Sequence, residues 1–105
     1  MGSCIMAQEF EIVRIPVQSS KIPKLIEALQ AARTGYLSAP ACQGLTLMLN
    51  EAADEVAAVV TWLSADAHNE AAKTPEAGAF FQVVTSFANG RPDVRRYRPA
   101  GAGSA

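Results

Sequence analysis

The chain has almost no chemistry of the usual reactive kinds. It holds one histidine, one tryptophan and two cysteines in 105 residues. Cys4 and Cys42 show no metal-ligand spacing and no histidine beside them, which argues against a metal centre and fits a reducing, cytoplasmic compartment. No glycine-rich phosphate loop is present, so neither a nucleotide nor a flavin or nicotinamide cofactor is implied. Formal net charge is −1, which supplies no electrostatic case for nucleic acid or an anionic membrane. The apolar run near the start is too short for a signal peptide or a membrane span, and Met6 departs from the myristoylation pattern. Charged residues make up only 18%, against 50% hydrophobic with much alanine, so some apolar surface is expected to be hidden by self-association.

What is present reads as one domain, large enough to bury roughly two-thirds of its unfolded surface. Residues 1–7 and 100–105 read as loose tails around a domain at 8–99. Glu9 to Val17 alternates as a strand, with Phe10 and Ile12 on one face and Val13, Ile15 and Val17 on the other. Ser19-Ser20 offers a helix cap, and Ile22, Leu25, Ile26, Leu29, Ala32 and Tyr36 recur at helical spacing, predicting a helix over 21–37 that Pro40 stops. Gly35 should weaken its last turn. Leu45, Leu47 and Leu49 mark a second strand after the bend at Gly44, and Asn50 to Asp54 reads as a hairpin link. Val56, Ala58, Val60 and Trp62 share one face of a third strand. Ser64 then caps a short helix to about Lys73, and Thr74-Pro75-Glu76 restarts it with a buried stripe of Ala77, Phe80, Phe81, Val84 and Phe87. Asp93 to Arg98 closes the chain as a polar edge strand. The order β-α-β-β-α-β predicts a ferredoxin-like α+β sandwich. Its helices cover one sheet face, and the other needs a partner, most simply a homodimer.

Cys42-Gln-Gly44-Leu45, then Val59-Val-Thr-Trp62-Leu-Ser-Ala-Asp-Ala67, then Thr74-Pro75 with Phe80-Phe81 and the closing Pro92–Tyr97 strand, occur in the order found in the antibiotic biosynthesis monooxygenase family of dimeric α+β barrels. The chain resembles that family over about residues 8–99. The resemblance implies a pocket between helices and sheet lined by the strand tryptophan. It also implies a cofactor-independent monooxygenase acting with O₂ on a small phenolic or quinol-like aromatic, or a haem degrader. Two departures stand out. Many relatives carry a histidine near Glu70–Ala72, whereas the histidine here is His68; and haem degraders place asparagine on the first strand, where this chain has Glu9, Glu11 and Arg14. The haem reading therefore recedes. A non-catalytic ligand binder or stress-related barrel is the alternative.

On this reading Trp62 orients a flat ligand, against the simpler role of core filler. His68 shares a helix face with Ala65, Ala71 and Ala72 and is a candidate base, against a surface histidine near a helix start. Tyr36 and Asn50 could hold ligand oxygens, though packing and hairpin geometry compete for them. Phe80 and Phe81 would keep the cavity dry. Arg14 reads as an ion pair with Glu11, Asp93 or another carboxylate. The arginines of the last strand split between faces, and Cys42 reads as an inert thiol.

Overall fold

The computed structural model describes residues 8–32, 35–38 and 41–100, so the 1–7 segment with Cys4, the proline at 40 and residues 101–105 lie outside it. Four strands form one antiparallel sheet: β1 (Glu9–Pro16), β2 (Cys42–Leu49), β3 (Glu55–Trp62) and β4 (Asp93–Tyr97), in the order β2-β3-β1-β4. Three helices lie on one face: α1 (Ile22–Ala31), α2 (Ala65–Ala72) and α3 (Pro75–Phe87). This is the ferredoxin-like α+β arrangement, with the second helical segment split in two as the sequence predicts.

Each break has a local cause. The Ser64 side chain accepts from the N–H of Ala67 at 3.1 Å, opening α2. Thr74 accepts from Ala77 N–H at 3.3 Å and donates to the Ala71 carbonyl at 2.7 Å, so one side chain opens α3 and closes α2. Pro75 follows at the first helical position, where no N–H is missed.

The first helix is shorter than its periodicity predicts. It ends at Ala31, and Gly35 N–H turns back to the Ala32 carbonyl at 3.0 Å. Gly35 is a poor helix former, and Tyr36 sits instead in a separate 3-10 turn, Tyr36–Ser38. That turn buries the Tyr36 ring under α3 rather than leaving it on the α1 stripe.

The core is built by parity. Val13, Ile15 and Val17 of the first strand region face Val56, Ala58, Val60 and Trp62 of β3, with Leu25 and Leu29 of α1 and Ala77, Phe80 and Val84 of α3 closing over them. Glu9 and Glu11 share the parity of Val13 and are buried with it. The opposite sheet face carries Phe10, Ile12, Val59 and the exposed Met48 and Tyr97, and no described helix covers it. No described helix is long and apolar enough to cross a membrane.

Candidate active site

Strand register places the first part of the site. Glu9 lies opposite Trp62 in the β1–β3 ladder, and Glu11 lies opposite Arg96 in the β1–β4 ladder. All four point toward the helices, the face on which Val13 and Val60 are buried. Helix α2 leaves the end of β3 and folds back over this corner, so that His68 stacks on Trp62 with ring centroids 4.7 Å apart and planes 6° from parallel.

His68 is fully buried and bridges two carboxylates. Its Nδ1 is 2.5 Å from Glu9 Oε1; its Nε2 is 3.2 Å from the Tyr36 hydroxyl and 3.4 Å from Glu11 Oε2. The Tyr36 hydroxyl also lies 3.5 Å from Glu11 Oε1, to which it can donate. Glu9 and Glu11 are 5% and 3% exposed. Two carboxylates at that depth need cations or donors close by. Arg96 provides one more, with a guanidinium nitrogen 3.5 Å from Glu9 Oε1 and a donor bond of 2.5 Å to Asn69 beside the histidine. Burial, and then the charge of Glu11, push the Tyr36 phenol well above the usual tyrosine range. Its hydroxyl is thus protonated throughout the neutral range.

Next to this network lies a cavity of about 250 Å³ between α1 and α3, lined by Ala28, Ala32, Tyr36, Glu76, Phe80 and Val83 among others. The alanines make it: small side chains on facing helices leave the space open. Tyr36 is the residue common to the cavity wall and the buried network. Its ring is held 5.2 Å from both Trp62 and Phe80, with Phe81 at 6.0 Å and edge-on to Phe80. The indole Nε1 of Trp62 is buried with no hydrogen-bond partner among the described residues, a deficit that typically costs about 1–3 kcal/mol.

Of the residues singled out in the sequence, Trp62, His68, Tyr36, Phe80 and Phe81 pack against one another, but only Tyr36 and Phe80 line the cavity; Trp62 is buried behind Tyr36 rather than lining it. Asn50 does not join them. It sits exposed in the β2–β3 hairpin, where Oδ1 accepts from the N–H groups of Asp54 and Glu55 at 3.0 and 2.9 Å and Nδ2 donates to Asp54 at 2.6 Å. Its amide shapes the turn, the competing role for an asparagine at that place. Arg14 pairs with Glu55 through two nitrogens at 3.0 and 3.2 Å, on the surface. Cys42 is half-buried beside the bulge in β2, its Sγ 3.8 Å from the Gly44 carbonyl. Sequence reasoning missed Glu9, Glu11 and Arg96. The signal was the parity of Glu9 and Glu11 with Val13, Ile15 and Val17, which puts two acids on the inward face of an otherwise apolar strand.

The sequence pattern of the antibiotic biosynthesis monooxygenase family matches residues 10–83. The chain belongs to this family. No curated protein matches it, so the remaining likenesses are structural. One is a Streptomyces coelicolor monooxygenase in complex with nanaomycin D, 20% identical over 91% of this chain and 90% of that one, with a TM-score of 0.77. Another is a Bordetella bronchiseptica protein named for the same family, 21% identical over 90% and 99% of the two chains, also at 0.77. A Methanosarcina mazei protein reaches 0.77 at 9% identity, over 90% and 95%. At such identities these likenesses show a shared fold.

Proposed function

We propose that this family member is a cofactor-independent monooxygenase that oxidises a small phenolic or quinol-like aromatic with O₂. The observation that carries the reading is the position of Tyr36, whose ring walls the alanine-lined cavity while its hydroxyl contacts His68 and Glu11. About 250 Å³ falls just below the usual range of ligand pockets, about 300–1,000 Å³, and limits the ligand to one or two fused rings.

The chemistry needs little from the protein. A phenol loses its proton through Tyr36 to His68, and the phenolate gives one electron to O₂. Recombination of the phenoxyl radical and superoxide forms a C–O bond at a ring carbon bearing hydrogen. The peroxide takes back a proton, that carbon loses its hydrogen as a proton, and the O–O bond breaks to leave a carbonyl and water. Phenol and O₂ thus balance as quinone and water, with no added reductant. Phe80 and Phe81 would keep water from the radical pair.

Oxygen uptake by the purified protein with a panel of quinols, anthrones and polyphenols tests this, with autoxidation subtracted and no cofactor added. Saturable uptake is expected, and Trp62→Ala should abolish it in a chain whose circular dichroism is unchanged. A second reading, a ligand binder without turnover, is favoured by one observation: His68 and Trp62 are wholly buried. Ligand binding by calorimetry with uptake at the autoxidation level would select it.

The uncovered apolar sheet face supports a homodimer in either case. Light scattering should give twice the 11.1 kDa chain mass, and Val59→Lys, which sets a charge at the middle of that face, should return it to monomer. A monomeric wild type would sink the dimer.

A further inference from the structure

We propose that Glu9 is a positioning residue for His68. It holds the imidazole proton on Nδ1, so that Nε2 carries the lone pair presented to the Tyr36 hydroxyl. Tyr36, His68 and Glu9 then form a proton relay with a defined direction, from the cavity wall inward to the imidazole, with Arg96 holding Glu9 from the far side. The catalytic part of this inference rests on the oxygenase reading; the tautomer is a property of the resting protein.

Hydrogen-bond bookkeeping leads to the assignment. An ionised carboxylate only accepts, so a nitrogen 2.5 Å from Glu9 Oε1 must bear the proton. Glu9 is kept in place by Arg96, which is itself held by Asn69 on the helix that carries His68. Free neutral histidine in water favours the proton on Nε2, so the Nδ1–H form is imposed by its surroundings. A 180° turn of the ring would put Cδ2 in place of Nδ1 and lose the bond to Glu9, so that bond fixes which edge of the ring faces the carboxylate.

The other nitrogen faces a different set of groups. In the proposed tautomer the Tyr36 hydroxyl, which retains its one proton, turns it from Glu11 Oε1 to the bare Nε2, 3.2 Å away. When a proton arrives from a substrate phenol, Tyr36 passes its own to Nε2 and takes the substrate's in return. The imidazolium so formed has Glu9 at one nitrogen and Glu11, 3.4 Å away, at the other. Glu11 thus stabilises the cation after transfer, while Glu9 sets the tautomer before it. Both come from alternate positions of one strand, which is why they reach opposite ends of one ring.

His68 is the sole histidine, so its ring nitrogens can be read without ambiguity. Two-bond ¹H–¹⁵N correlation spectra of the uniformly labelled protein, taken without substrate across the pH range in which the fold persists, should reach a neutral ring with Nδ1 protonated and Nε2 bare. A neutral ring with the proton on Nε2 would overturn the inference. So would a ring protonated at both nitrogens throughout, since Nε2 would then have no lone pair. This arm needs no variant and cannot be lost to misfolding. In Glu9→Ala the neutral ring should move toward Nε2–H, and kcat for phenol-dependent oxygen uptake should fall at least about tenfold with little change in KM. Glu9→Asp, which keeps the charge, should recover part of both. An unmoved tautomer in Glu9→Ala would remove Glu9 from the role. An Nδ1–H ring in a protein that oxidises no phenol would uphold the tautomer assignment and overturn the oxygenase reading instead.

Discussion

Replacing His68 by alanine is expected to lower the free energy of unfolding by about 3–5 kcal/mol, because it leaves a buried carboxylate without its donor and empties the space of a packed ring. The substitution takes away the group that contacts both Glu9 and Glu11, which are 5% and 3% exposed. It also removes the ring stacked on Trp62. Domains of this size have roughly 5–15 kcal/mol in all, so the loss would be a large share of the total. Urea denaturation followed by Trp62 fluorescence measures it. Adding Glu11→Gln to the His68→Ala chain should restore part of the loss, because an amide can be buried beside Glu9 where a second carboxylate cannot. A change below about 1 kcal/mol would mean that the carboxylates find other partners, and that the buried cluster is not what ties α2 to the sheet.

Tyr36→Phe should separate chemistry from packing. The ring contacts with Trp62 and Phe80 survive, so the fold should lose about 1.5–3 kcal/mol, the worth of a hydrogen bond to a charged group. Oxygen uptake should fall about 10²-fold or more, as for loss of a group that moves a proton in the rate-determining step. Equal rates in wild type and variant would take Tyr36 out of the relay. The same variant has a signature in alkali. The folded Tyr36 phenol ionises at higher pH than the unfolded one, because burial and Glu11 oppose its anion. Its contribution to stability is therefore complete below the ordinary tyrosine pKa of about 10 and is lost as pH rises past it toward the folded value. Stability measured against pH above about 10 should fall more steeply in wild type than in Tyr36→Phe.

Much of the architecture was legible because it is written locally. Strand alternation in Glu9–Pro16 and Glu55–Trp62 needs only neighbours two residues apart, and the Ser64 and Thr74 caps act within three residues. The same locality explains the error at α1: the stripe from Ile22 to Ala32 has Tyr36 in phase with it, but a periodic pattern does not say where a weak last turn gives way. Asn50 illustrates the reverse. Its hairpin role was readable from turn chemistry, and the pocket role depended on a long-range placement that the fold does not supply.

The sequence alone determined the order of the elements, the split of the second helix and the face on which Trp62 lies; that Glu9 and Glu11 point inward was implicit in strand parity and became plain only in the structure. Only the tertiary structure decided what they meet. His68 is 59 residues from Glu9 and 32 from Tyr36 in the chain, and no short-range rule relates them. They come together because β1 pairs antiparallel with β3, which sets Glu9 opposite Trp62, and because α2 folds back from the end of β3 over that pair. Two buried acids on a strand are by themselves a liability. It is the packing of one helix turn and one 3-10 turn above them that supplies the imidazole and the phenol, and makes of them a site.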